Sequence, residues 1–161
     1  MGGARAQVEA VRQRGDRLMT VTYRSDLDGV DWEALKQDLI ADDFHNGRTT
    51  AQVRTSFENS GAVAMGFEGD RCIANGRLLS DGVGNAYVID VWTKSAYRRQ
   101  GIARTIMHML ISTVPGQHIY LQTDDASGFY EKLGFVEQPK GMMFIAGRYL
   151  NRRAGTTSTG A

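Results

Sequence analysis

A single cysteine, Cys72, stands in 161 residues, so no disulfide can close within the chain, and a reducing cytoplasm is the expected setting. Three histidines are too few and too scattered for the spacing of a zinc site, and no metal is expected. No apolar run approaches the roughly 20 residues that a membrane span needs. The opening stretch, with Arg5, Glu9, Arg12 and Arg14, also lacks the apolar centre of a signal peptide. An excess of one charge is missing too: 19 basic against 18 acidic side chains leave +1, too little to steer nucleic acid or an anionic membrane. Neither partner is expected, and any anion site has to be local. What is there is enough chain for one domain with a real hydrophobic core.

Residues 1–16 are mostly polar, and 151–161 run out through glycine, threonine and serine. Both read as flexible ends around a single domain over 17–150. Within it, Met19, Val21 and Tyr23 alternate with threonines and predict a strand over 18–23. Trp32, Leu35, Leu39 and Ile40 recur at helical spacing behind Asp31, a capping residue by type. A second short helix begins at Thr49 or Thr50 and carries Val53 and Phe57. Three strand-like runs, 62–67, 72–79 and 86–93, are joined by short glycine-bearing links that favour antiparallel hairpins. From Gly101 the period turns helical through Ile102, Ile106, Met109 and Leu110, and it must end before Pro115. A strand over 118–122, a short helix over 126–133 stopped by Gly134, and a last strand over 142–145 complete the chain. This order predicts an α/β fold with a mixed, mostly antiparallel central sheet and helices on both faces. The crossover should pair 86–93 in parallel with 118–122.

The most informative segment runs from Val88 to Ala103 and reads as strand, basic turn, glycine, helix. Backbone N–H groups in a helix's first turn have no internal partner and sit at the positive end of its dipole, so a loop wrapped there suits a pyrophosphate. Gly101 and Ala103 let backbone come close, and Arg98 and Arg99 add charge. The plain alternative is a common strand–glycine–helix junction with solvated arginines. Neither a Walker-type Gly-Lys-Ser/Thr nor a GxGxxG dinucleotide fingerprint occurs at this junction, which disfavours ATP and NAD.

Arg98-x-x-Gly101-x-Ala103 resembles the Gln/Arg-x-x-Gly-x-Gly/Ala acyl-CoA loop of the GNAT acetyltransferases, and Phe129-Tyr130-Glu131-Lys132-Leu133-Gly134-Phe135 resembles their second signature. The two occur in the family's order with one helix and one strand between them. The resemblance implies acetyl-CoA lodged in a splay between the two parallel strands, with Val91, Trp92 and Thr93 along the pantetheine arm. Arg98, Arg99, Gln100, Gly101, Ile102, Ala103 and Arg104 would surround the pyrophosphate, with Thr123, Ser127 and Tyr130 beyond. At Thr123 the family often has asparagine, a departure that a hydroxyl can partly make good.

The implied activity is N-acetylation of a primary amine, most simply that of a small molecule, with a protein or peptide amine as the alternative. A non-catalytic acyl-CoA sensor is the reading from another class. The attacking amine must be neutral, so a carboxylate or a water chain has to take its proton. Asp90 is the first candidate; strand alternation leaves open that it lies over the other sheet face or pairs with an arginine. Tyr130 matches the tyrosine that reprotonates the leaving thiolate, against the plain reading of a packing residue. The acceptor side is expected around Asp42, Asp43, Phe44, His45 and Arg48, where acidic groups suit a cationic amine. The same cluster also reads as a solvated helix end, although two aspartates near a helix C-terminus oppose its dipole. His45 by type is a surface residue and Cys72 a small core side chain. Many relatives pair through late strands, and the apolar run 142–145 makes a homodimer the expectation.

Overall fold

The computed structural model describes residues 6–12, 18–146 and 148–151. They fall into two compact units, one up to Thr123 and one from Asp124. Of the expected tail over 151–161, residues 152–161 lie outside the described residues.

The first unit is one six-stranded sheet in chain order: β1 (Gln7–Arg12), β2 (Leu18–Arg24), β3 (Ala62–Glu68), β4 (Arg71–Ser80), β5 (Asn85–Thr93) and β6 (His118–Tyr120). Neighbours are antiparallel except β5 and β6, which run parallel as the crossover rule requires. The strand β1 corrects the expectation of a flexible opening segment. Its three apolar residues, Val8, Ala10 and Val11, do not alternate cleanly with the polar ones, but it pairs with β2 along its whole length and buries Val11.

Two helices precede β3. In α1 (Trp32–Ala41) the side chain of Asp31 accepts from the N–H of Ala34 at 2.9 Å, as its type foretold. In α2 (Thr50–Glu58) Thr49 and Gln52 exchange hydrogen bonds in a capping box. These helices pack Leu35, Leu39, Val53 and Phe57 against Met65, Phe67, Cys72 and Trp92 on one sheet face. Each large apolar side chain buried there contributes about 1.5–3 kcal/mol.

The opposite face belongs to α3 (Ile102–Ile111), whose Ile102, Ile106, Met107 and Leu110 are buried. A glycine on β4 lets it settle. A Cβ added at Gly76 would lie 2.8 Å from Ile106 Cγ2 and 3.0 Å from Leu110 Cδ1, so the helix rests on bare backbone.

In the second unit α4 (Ser127–Glu131) is a short helix, and residues 142–145 are not a strand. A strand exists only through a partner's ladder, and among the described residues none takes up this run. Met142, Met143 and Phe144 are accordingly exposed.

Candidate functional site

The parallel ladder between β5 and β6 covers three pairs, Asn85 with His118, Ala86 with Ile119 and Tyr87 with Tyr120. Beyond Tyr87 the stretch 88–93 of β5 continues alone on that side, toward the loop that leads into α3. The helix opens on Gly101 at φ 86, a left-handed conformation that favours glycine, and no side chain caps it. Its first-turn N–H groups thus keep the unpaired donors that suit an anion. Ile102 is buried, so only its backbone can serve there, while Gly101 and Arg104 are exposed. Thr93 Oγ1 and Gln100 Oε1, on either side of the basic turn, are buried without a hydrogen-bond partner. These orphaned groups and uncapped N–H donors fit an acyl-CoA arm and its pyrophosphate.

The arginines of the turn divide. Arg98 folds back, donating from Nε to the Thr93 carbonyl at 2.9 Å and from Nη2 to Asp42 at 3.3 Å. It braces the turn. Arg99, at φ 63, is exposed and makes no ion pair among the described residues.

Asp42 holds the same turn from the other side. Its Oδ2 accepts from Trp92 Nε1 and from the backbone N–H of Ser95, both at 2.9 Å. With Arg98 that makes three donors, which explains why an aspartate tolerates the C-cap of α1 and corrects its expected role toward the acceptor. Trp92, 2 % exposed, likewise offers a ligand only its backbone. Of the acceptor cluster, Phe44 packs against the apolar core, and His45 Nδ1 accepts from Gly47 N–H at 3.0 Å. Asp43 is exposed in a left-handed conformation, with no side-chain partner among the described residues.

Asp90 is the largest departure. Asn75 pairs with Trp92 and Arg77 with Ile89, so Asp90 and Val91 together face Gly76 in a β-bulge. Asp90 takes φ 55, which costs a non-glycine residue about 1–2 kcal/mol. The bulge turns its carboxylate toward the α1–α2 side, while a Gly76 Cβ would meet Val91 Cγ2 on the α3 side. Arg48 grips Asp90 with two prongs, Nη1 to Oδ2 at 2.7 Å and Nη2 to Oδ1 at 3.0 Å, and Arg77 Nε donates to Oδ2 at 2.6 Å. Burial pushes the Asp90 carboxyl up, but Arg48 and Arg77 outweigh it and hold it below the usual carboxylate range. Two guanidiniums that lower a carboxylate's pKa make it a weaker base, so the expected base role for Asp90 gives way to the arginine pairing. Arg77 is the residue that sequence reasoning missed; the signal was an arginine in mid-strand between Gly76 and Leu78.

In the second unit, the Tyr130 ring stands edge-on to Phe129 at 5.0 Å and Phe135 at 5.8 Å. Burial, followed by the charge of Asp125, raises its pKa, so the phenol keeps its proton at neutral pH. Ser127 is exposed in the first turn of α4, and Thr123 closes the first unit.

Among the described residues no group of three or more His, Cys, Asp or Glu side chains is placed to hold a metal, and no helix is long and apolar enough to cross a membrane.

Residues 26–135 match the acetyltransferase (GNAT) family. The chain is 30% identical over 146 residues to GCN5-related N-acetyltransferase 1, chloroplastic, of Arabidopsis thaliana, covering 85% of this chain and 71% of that one. Its fold is similar to that of a GNAT family acetyltransferase from Streptococcus pneumoniae TIGR4, at TM-score 0.66 and 23% identity over 80% of this chain and 99% of that one. A Clostridium acetobutylicum protein, described as an acetyltransferase with acetyl-CoA, aligns at TM-score 0.60 and 18% identity over 78% of this chain and 96% of that one. The chain belongs to the GNAT family of acetyltransferases and is an acyltransferase that uses acetyl-CoA.

Proposed function

We propose that the protein transfers the acetyl group of acetyl-CoA to the primary amine of a small molecule by direct attack on the thioester. The observation that carries the donor side is the stretch 88–93 of β5 running free of β6 into the uncapped start of α3. Backbone groups of Val91 and Thr93 orient the pantetheine arm, and the loop from Arg98 to Arg104 receives the pyrophosphate. Acetyl-CoA supplies an activated thioester; the chain's own residues position it and manage protons. Both units serve one acetyltransferase domain, a reading supported by the matched segment 26–135 running across Thr123.

Tyr130 is the proton donor to the leaving thiolate. Its place in the Phe129–Phe135 signature supports this, and as a phenol it holds its proton at neutral pH. On the acceptor side, Asp43 supplies the negative charge that draws a cationic amine, and Phe44 borders it. With Asp90 committed to arginines, the attacking amine loses its proton to water.

A screen of amines for acetyl-CoA-dependent thiol release tests the reading. Tyr130→Phe should leave acetyl-CoA affinity unchanged and lower turnover by about 10²-fold, the usual share of a positioned acid. Full turnover in that variant would remove Tyr130 from the chemistry. Release with peptides but not with small amines would move the acceptor to the protein class.

A further inference from the structure

The bulge at Asp90 is held from more directions than a sheet irregularity requires. Arg48 and Arg77 take its carboxylate, and Asn75 Nδ2 donates to its carbonyl at 2.7 Å. Arg48 comes from the loop between α1 and α2, and it and Asp90 are 7 % and 8 % exposed. The bulge lies on the part of β5 past the end of the β6 ladder, so its kink sets the direction of the backbone through Val91 to Thr93.

We propose that Arg48 is a positioning residue for acetyl transfer: by gripping Asp90 it fixes the left-handed kink that aims β5 at the thioester, and it ties the acceptor-side loop to the donor strand. This rests on the reading of 91–93 as the seat of the acyl arm. A two-pronged guanidinium is needed because it fixes direction as well as charge, which a lysine ammonium cannot do. Arg77, approaching the same carboxylate oxygen from β4, anchors Asp90 within the sheet but carries no link to the loop.

The thioester and the phosphates meet different parts of this site, so the two effects separate in binding. The test is calorimetric titration of the full chain with acetyl-CoA and, separately, with CoA. Wild type should prefer acetyl-CoA by on the order of fivefold, the contribution of one well-placed hydrogen bond to the acetyl carbonyl. Arg48→Met should lose that preference while its CoA affinity stays within about twofold of wild type. Arg48→Lys should keep only part of the preference, and it carries the test if circular dichroism shows that the methionine variant does not fold.

An unchanged preference in either variant overturns the proposal, as does a parallel loss of both affinities, which marks general damage rather than positioning. Wild type that binds both nucleotides equally also overturns it. Wild type that binds neither fails at an earlier step, the acyl-CoA seat itself, and so is distinguishable from a failure of Arg48.

Discussion

Replacing Gly76 with alanine tests how α3 is seated. The added Cβ would stand 2.8 Å from Ile106 Cγ2 and 3.0 Å from Leu110 Cδ1, well inside the 3.5–4.0 Å of ordinary carbon contact. Leu110 can turn its terminal methyl aside, but Ile106 Cγ2 branches at Cβ, and a β-branched side chain in a helix has one strongly preferred rotamer. Relief therefore means lifting α3 from the sheet, and overpacking of this kind costs about 1–3 kcal/mol. For a chain of this size that lowers the melting temperature by roughly 2–12 °C, taking about 2–4 °C per kcal/mol. Because α3 begins at Gly101, the same displacement should weaken acetyl-CoA binding. Ile106→Leu moves the branch outward by one carbon and should recover much of the loss in the double variant, a positive coupling in a double-mutant cycle. Thermal melts followed by circular dichroism, with calorimetric titration of acetyl-CoA, measure both effects. A wild-type melting temperature in Gly76→Ala would refute the close seating, and a loss that Ile106→Leu leaves untouched would refute the assignment of the collision.

Gly101→Glu should abolish acetyl-CoA binding, since it strains a φ of 86 and puts a carboxylate where an anion is to sit; unchanged affinity by calorimetry would count against the site. Asp42→Ala removes the acceptor of three hydrogen bonds that brace the basic turn. It should lower stability by about 1–3 kcal/mol in urea denaturation and weaken acetyl-CoA binding, whereas a role confined to the acceptor would move neither. For Asp38, burial raises the carboxyl pKa, but Arg71 and Lys94 prevail and hold it low; Asp90 is held low in the same manner. Carboxylates with lowered folded pKa values stabilise the fold above their unfolded pKa near 4, and that contribution fades as pH falls through the folded values. Urea midpoints should accordingly drop below about pH 4, and Asp38→Asn should make the drop shallower. An unaltered acid slope in that variant would contradict the pairing.

Much of the fold was legible because local chemistry and tertiary demand agree. Asp31 and Thr49 cap α1 and α2 as their types foretell, and the apolar period after Gly101 marks the buried side of α3. Two elements were not legible, since a strand is made by its partner. Gln7–Arg12 sets Val8, Ala10 and Val11 among charged and polar neighbours without strict alternation yet completes the sheet edge against β2, whereas Met142 to Ile145 has the apolar content and gains no ladder among the described residues. In the site, the glycine that opens α3 could be read directly, because its left-handed backbone is one that few residue types permit. Asp90 and Asp42 could not be assigned, because what a carboxylate does depends on which donors reach it. The donors for Asp90 come from Arg48 and Arg77, distant in sequence, and those for Asp42 come from Trp92, Ser95 and Arg98. A bulge that exchanges which side of a strand a residue addresses breaks the alternation on which such readings rest.

Calorimetric titration of the purified chain with acetyl-CoA, with ATP and NADH as controls, addresses the donor site most directly. Saturable binding of acetyl-CoA alone is the expected result. Equal binding of all three nucleotides, or none of acetyl-CoA, would contradict an acyl-CoA site at the start of α3.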